Sequence, residues 1–283
     1  MNGRTFARRI IATGALTLAG AAPVPALAQQ APTAPAQVGR RPATILAVFA
    51  HPDDERIVGP LLAGYARRGA RILWVVATDG RKGVTPFAHI PAGDSLAHVR
   101  AGEARCAARA LGVGDPRLLG LEDAGLASFE ALDALRDSVA GILGELHPDV
   151  VLTFGPEGGT GHPDHRLVGD VVSELVQRGA DGAPPALFYA SLPAERMRTA
   201  PRAEPTVTPM ADRYLAVSVP FTPADLEATH HEFACHASQY TPEQQAMVMR
   251  YLEHGWAGAV RLRSWDGVTP WPWPEDGVAS QSR

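Results

Sequence analysis

Two short clusters concentrate the side chains that can do chemistry. His51, Asp53, Asp54 and Glu55 stand in AHPDDE, directly after the apolar run Ile45 to Ala50. His162, Asp164 and His165 stand in HPDH, directly after the glycine-rich stretch GPEGGTG. Three consecutive acids repel one another, so something must compensate them. Carboxylates beside imidazoles suit a divalent cation, and two neutral imidazoles with one carboxylate are a common set that leaves room for water and substrate. Bland roles compete with this. Acids at a helix start complement the helix dipole by ~0.3–1 kcal/mol each, and His162 to His165 can simply open a helix with Pro163 at its first position. The two clusters together favour the metal reading, because each follows the end of an apolar run.

The elements that must carry these clusters alternate. Apolar runs at Thr44 to Ala50, Arg71 to Thr78, Arg117 to Leu121, Asp149 to Phe154, Ala186 to Ser191 and Tyr214 to Val219 read as strands. Helical patterns cover Glu55 to Arg68, Ser95 to Leu111 (closed by Gly112), Phe129 to Leu146, Asp164 to Arg178, Pro223 to Ser238 and Pro242 to Glu253. Strand and helix in alternation predict an α/β, Rossmann-like fold, a mostly parallel sheet with helices on both faces. Such sheets bind ligands beyond the carboxyl ends of their strands, where both clusters fall. No G-x-G-x-x-G follows the first strand, which disfavours a nucleotide cofactor, and the carboxylates would repel a phosphate.

The chain has 283 residues and a net charge of -4, with no dominant basic block, which argues against a nucleic-acid partner. Residues 1–28 read as a secretory signal peptide: Arg4, Arg8 and Arg9, an apolar stretch, then a small-residue site ending at Ala28. That stretch is short for the ~20 residues of a membrane span, although an uncleaved anchor is the alternative. Arg8-Arg9 resembles a twin-arginine signal, and the expected location is periplasmic or extracellular. Residues 29–41 read as a flexible linker, 42–265 as the folded domain and 266–283 as an irregular Pro/Trp-rich tail, a cover or a frayed end. Cys106 and Cys235 are the only cysteines. An exported chain can pair them. Two buried thiols are the other reading, and the sequence does not choose.

AHPDDE (Ala50 to Glu55) and HPDH (His162 to His165) resemble the paired motifs of the PIG-L/LmbE-like zinc-dependent de-N-acetylases. TDGRKG, HVRAGEA, LGLEDAGL and, weakly, HASQ at His236 to Gln239 fall in the family's order. The resemblance implies the same Rossmann-like fold and hydrolysis of an N-acetyl or other N-acyl group on a small amino-sugar conjugate. It implies Zn2+, with Fe2+ compatible, on His51, Asp54 and His165. It makes Asp53 the general base toward the attacking water, and gives His162 the oxyanion or the leaving amine. Arg100 and Asp123 match substrate-contacting positions, with surface or capping roles as their alternatives. Arg81 and Lys82 could face an anionic aglycone, or be solvated loop charges. His89, His98, His147, His230 and His231 fit no constellation. One departure stands out: Thr160 occupies a place where the family often has a tyrosine, which puts oxyanion assistance from there in doubt.

Two other classes compete. A non-haem iron oxygenase uses similar ligands but in a β-rich barrel with His-x-Asp spacing, whereas this chain shows βα alternation and His-x-x-Asp. A non-catalytic metal-holding carbohydrate binder would have no use for Asp53 beside the metal. Oligomeric state is not legible. The N-terminal reading makes a direct prediction. The exported form begins near Gln29 by N-terminal sequencing, and Arg8→Lys with Arg9→Lys blocks export if the twin-arginine reading holds. An intact Met1 on a soluble cytoplasmic chain overturns it.

Overall fold

In a computed structural model of the chain, residues 42–273 are described, apart from 185, 204 and 205. The expected signal peptide (1–28), the linker (29–41) and the end of the tail (274–283) lie outside the described residues. The first strand, β1 (Thr44–Phe49), is buried along its whole length. Its unbroken apolar sequence is what a strand covered on both faces requires. With β2 (Arg71–Thr78), β3 (Arg117–Leu121), β4 (Val150–Thr153), β5 (Leu187–Ala190), β6 (Val217–Pro220) and β7 (Ala259–Ser264) it forms a seven-stranded sheet of order β3-β2-β1-β4-β5-β7-β6. The first five strands pair in parallel, and β7 runs antiparallel to both β5 and β6. The expected α/β, mostly parallel architecture is therefore present.

The chain winds from β1 out to β3, then returns to β4 on the other side of β1. That reversal creates a crevice beyond the carboxyl ends of β1 and β4. The helices follow from it. Among α1 (Gly59–Arg67), α2 (Asp94–Leu111) and α6 (Pro223–Ala234), each packs on the other two, while α3 (Phe129–Leu146) packs on α4 (Pro163–Gln177). Right-handed crossovers on either side of the reversal put these two groups on opposite faces. The short α5 (Ala194–Met197) and α7 (Pro242–Trp256) complete the described helices.

The structure departs from the sequence reading in several places, among them β6, which starts at Val217 instead of Tyr214, and the unexpected short helix α5. The helix expected from Glu55 to Arg68 is a 3₁₀ turn (Asp54–Val58) followed by α1, which restarts around Pro60; proline has no N–H to continue a ladder and sits well in a first turn. Helix α6 stops at Ala234 instead of Ser238. Strand β7 was not expected. Its sequence AVRLRS buries Val260, Leu262 and Ser264 and leaves Arg261 and Arg263 partly exposed, an alternation in which the arginines hide the strand. The described part of the tail is a cover: Trp271 is buried, donates its indole N–H to the Tyr65 hydroxyl at 2.7 Å and meets the Phe188 ring.

Cys106 and Cys235 are joined, with their Cα atoms 5.8 Å apart. The two-buried-thiol alternative is excluded, since both residues are bonded and only partly buried. The bridge ties α2 to the end of α6 across 129 residues of sequence. A loop that long loses much of its freedom in the unfolded chain when closed, typically worth ~2–4 kcal/mol. Cys106→Ser with Cys235→Ser is expected to lower unfolding stability by about that amount, read as a lower denaturant midpoint with an unchanged fold by circular dichroism. An unchanged midpoint would show that the bridge constrains nothing.

Candidate metal centre and active site

The crevice holds both motifs. AHPDDE turns sharply off the end of β1, while HPDH opens α4, which follows the loop after β4. His162 is the cap of α4: its Nδ1 accepts the Asp164 N–H at 3.2 Å. His165, one turn in, faces the end of β1. The result is a cavity of about 320 Å³ whose wall includes His51, Asp53, Asp54, Arg100, Asp123 and Tyr240. His162, His165 and Thr160 also line it.

Within the cavity His51, Asp54 and His165 converge. His51 Nδ1 lies 3.0 Å from His165 Nε2 and 3.5 Å from Asp54 Oδ2, and His165 Nε2 lies 3.2 Å from Asp54 Oδ1. Two imidazole nitrogens and a carboxylate this close need a positive charge among them. The far nitrogens explain how the near ones are oriented. His51 Nε2 lies 3.3 Å from Asp123 Oδ1 and 3.4 Å from Asp164 Oδ2. His165 Nδ1 lies 2.9 Å from the carbonyl of Gly158, whose φ of 68° glycine adopts without steric cost. An N–H given to an outer acceptor leaves the other ring nitrogen as a lone pair, the usual support of a metal-binding histidine. Ligand bonds of ~2.0–2.2 Å to zinc place tetrahedral donors ~3.3 Å from each other. The donor set therefore fits a divalent cation.

The electrostatics agree. Burial opposes charge on His51, but hydrogen bonds to Asp123, Asp164 and Asp54 outweigh it and hold its pKa well above the usual histidine value. Burial likewise opposes charge on Asp54, and His165 and His51 outweigh it to keep this carboxyl well below the usual range. Asp123 is held at about 2, its burial overcome chiefly by His51. His162 moves the other way: burial first, then the charges of His51 and His165, push its pKa down. A neutral His162 whose Nδ1 accepts from Asp164 carries its proton on Nε2.

Asp53 stands beside the three converging groups but outside their contacts. Its Oδ1 accepts from Arg100 at 3.2 Å and its Oδ2 from the Tyr240 hydroxyl at 3.1 Å. Its backbone has φ 129°, a region costly for a non-glycine residue and found at functional turns. Arg100 is almost fully buried and also donates to the carbonyls of Pro52 (2.7 Å) and Gly80 (3.1 Å). A surface role for Arg100 is thus excluded. Both Arg100 and Asp123 line the cavity, and among their hydrogen bonds are those to Asp53 and His51. Thr160 Oγ1 lies 3.3 Å from His165 Nδ1. Lys82 pairs with Glu122 at 2.8 Å, and Arg81 with Asp79 at 2.6 Å and Asp94 at 3.1 Å. Asp164 belongs to the HPDH cluster but has no role of its own in the sequence reading of the site; Glu232 and Tyr240 are not singled out there, and His236 enters only through the weak HASQ match.

Comparisons with known proteins bear on this arrangement. Residues 46–176 match the PIG-L family, GlcNAc-PI de-N-acetylase. The chain is 38% identical over 180 residues to the 1D-myo-inositol 2-acetamido-2-deoxy-alpha-D-glucopyranoside deacetylase 2 of Catenulispora acidiphila, covering 56% of this chain and 59% of that one. It is 32% identical over 154 residues to the "Probable N-acetyl-alpha-D-glucosaminyl L-malate deacetylase 2" of Bacillus cereus, covering 54% of this chain and 69% of that one. The chain spans about half the length of several inositol-conjugate relatives, 54% and 50% in two cases. Among solved structures, the N,N'-diacetylchitobiose deacetylase of Pyrococcus horikoshii superposes with a TM-score of 0.59 at 22% identity, covering 78% of this chain and 84% of that one. That last likeness shows the fold. With both motifs at the switch point of that fold, the chain belongs to the PIG-L family of de-N-acetylases.

Proposed function

We propose that the protein is a metal-dependent hydrolase that removes an N-acetyl or related N-acyl group from a small amino-sugar conjugate. The observation that carries this reading is Asp53: a carboxylate held by two donors beside a cation-binding set it does not join. Relatives named for deacetylation of inositol-linked and malate-linked glucosaminides support the substrate class. His51, Asp54 and His165 would hold the cation, zinc by ligand type, with iron(II) compatible. Bound there, a divalent cation supplies Lewis acidity, acidifying water and polarising an amide carbonyl. Asp53 takes the proton from the attacking water and returns it to the departing amine. His162, neutral with its proton on Nε2, donates to the developing oxyanion; giving that proton away to the amine would require an imidazolate, so the oxyanion is its better role. Arg100 fixes Asp53, and Asp123 fixes His51, from the cavity wall.

The bridge between Cys106 and Cys235 supports export, since such bonds persist in oxidising compartments. No described helix is long and apolar enough to cross a membrane.

The decisive assay is acetate release from a panel of N-acetylglucosamine conjugates, with metal analysis of the same sample. Asp53→Asn is expected to lower kcat by ~10²–10⁴-fold, the usual worth of a general base, with KM nearly constant and metal content intact. A variant with full kcat removes Asp53 from the mechanism; a variant without metal makes Asp53 a ligand. His51→Ala, Asp54→Ala and His165→Ala should each lose metal and activity together. Stoichiometric metal in all three would refute the ligand set, and sugar binding without acetate release would favour a non-catalytic binder.

A further inference from the structure

Behind the cavity lies a second set of ionisable side chains that no step above uses. Glu55, Glu232 and His236 are each 0% exposed. His236 Nε2 donates to Glu55 Oε1 at 2.9 Å and lies 3.5 Å from Glu232 Oε1. The other oxygen of Glu55 accepts the backbone N–H of Asp53 at 3.0 Å. Four residues after His236, Tyr240 donates its hydroxyl to Asp53 Oδ2 at 3.1 Å. The guanidinium of Arg56 sits 5.4 Å from the centre of the Tyr240 ring and donates to the carbonyl of Asp53. One corner of the chain thus reaches Asp53 twice, at its amide through Glu55 and at its carboxylate directly.

This corner answers a physical need. Asp53 has φ 129°, a conformation that costs ~1–3 kcal/mol and lasts only where its surroundings over-determine it. Glu55 supplies part of that restraint from a position where an unpaired carboxylate would be strongly destabilising. Burial opposes charge on His236, but Glu55 and Glu232 outweigh it and raise its pKa to about 10. His236 therefore stays charged and keeps Glu55 paired. Burial and the charge of Glu55 push the Glu232 carboxyl well above its usual range, so this second acid does not add a third full charge. Apolar replacement of a buried ion pair is often neutral or stabilising, so stability by itself is a weak reason for this set. The anchoring is reinforced next door: Cys235, bridged to Cys106 on α2, precedes His236, and α2 also carries Arg100, the donor to Asp53 Oδ1.

We propose that His236, acting through Glu55, and Tyr240, acting directly, are positioning residues that hold Asp53 where it takes the proton from water. The proposal rests on the reading of Asp53 as the base. It is tested on the full-length protein with Tyr240→Phe, His236→Gln and Asp53→Asn, alone and combined, by steady-state kinetics, metal content and melting temperature. Each of the first two variants should lower kcat by about 10–100-fold, the scale of a misplaced catalytic group, with KM and metal content nearly unchanged. In the Asp53→Asn background neither should lower kcat further, because residues acting through Asp53 lose their effect when it is absent. Losses that multiply in that background overturn the proposal, as does full kcat in both single variants. Disappearance of one equivalent of metal in His236→Gln alone would make the buried trio a metal site instead. If His236→Gln does not fold, Tyr240→Phe, which removes only a hydroxyl at the cavity wall, decides by the same two comparisons. Full kcat in Asp53→Asn would instead refute the base assignment itself, a separate outcome.

Discussion

Asp54 joins the two halves of the site. One of its oxygens accepts the backbone N–H of His51 at 2.7 Å and closes the turn off β1; the other lies 3.2 Å from His165, on the helix after β4. A carboxylate this deeply buried is tolerable only when paired and hydrogen-bonded. The turn, the opening of α4 and the spacing of β1 and β4 must therefore be right at once. The parallel register of β1 on β4 sets the distance across which this one side chain bridges, and the long apolar β1 makes that register hard to slip.

Around that bridge the polar groups form shells with different duties. Asp123 and Asp164 orient His51, and the carbonyl of Gly158 orients His165. Asp164 in turn accepts the N–H of Ala124 at 2.7 Å, and Asp123 that of Lys82 at 2.9 Å. The loops after β2 and β3 are thereby tied, through these carboxylates, to the converging set of His51, Asp54 and His165. Such a network is rigid because nearly every member is satisfied, and removing one partner would leave a buried charge exposed to its neighbours. Asp53 is held by a separate set, Arg100, Tyr240 and Glu55. On the proposed reading this separation is useful: metal affinity and base orientation can be set independently although the two aspartates are adjacent.

Local pattern makes much of this legible in the sequence. The runs from Ile45 to Ala50 and Asp149 to Phe154 read as buried strands; AHPDDE begins at the end of the first, and HPDH follows the second after the glycine-rich loop. Parallel order and helical crossovers followed from the alternation. The family resemblance, not the spacing, is what singled out Asp54 over Asp53 and His165 over His162. What stayed hidden is what depends on long-range packing. His236 meets Glu55 across 181 residues, and Tyr240 meets Asp53 across 187; nothing in either local sequence announces a partner. Strand β7 was masked by its arginines, and α6 stopped short for a tertiary reason: the chain must turn at Cys235 to bring His236 and Tyr240 inward. The pairing of the two cysteines belongs to the same class, since it depends on how α2 lies against the end of α6.

Thr160 is where the chain departs from its family's frequent tyrosine, and the structure gives the departure a physical meaning. The Thr160 hydroxyl lies 3.3 Å from His165 Nδ1, on a side chain shorter than a phenol. On the proposed function, oxyanion assistance would come from another donor in the cavity. Lys82 and Arg56 are committed to Glu122 and to the carbonyl of Asp53. His162 remains, and its environment suits the task. With its pKa pushed down by burial, His51 and His165, the ring stays neutral and adds no positive charge to compete with a bound cation. Its Nδ1 is fixed as an acceptor by the α4 amide of Asp164, which orients the Nε2–H without a flexible side chain to freeze. A donor built into a helix cap costs little reorganisation when charge develops beside it. On the proposed function, the site thus keeps its electrophilic donor by moving that duty from position 160 to the cap of α4, while Tyr240, the only phenol lining the cavity among the described residues, serves the base.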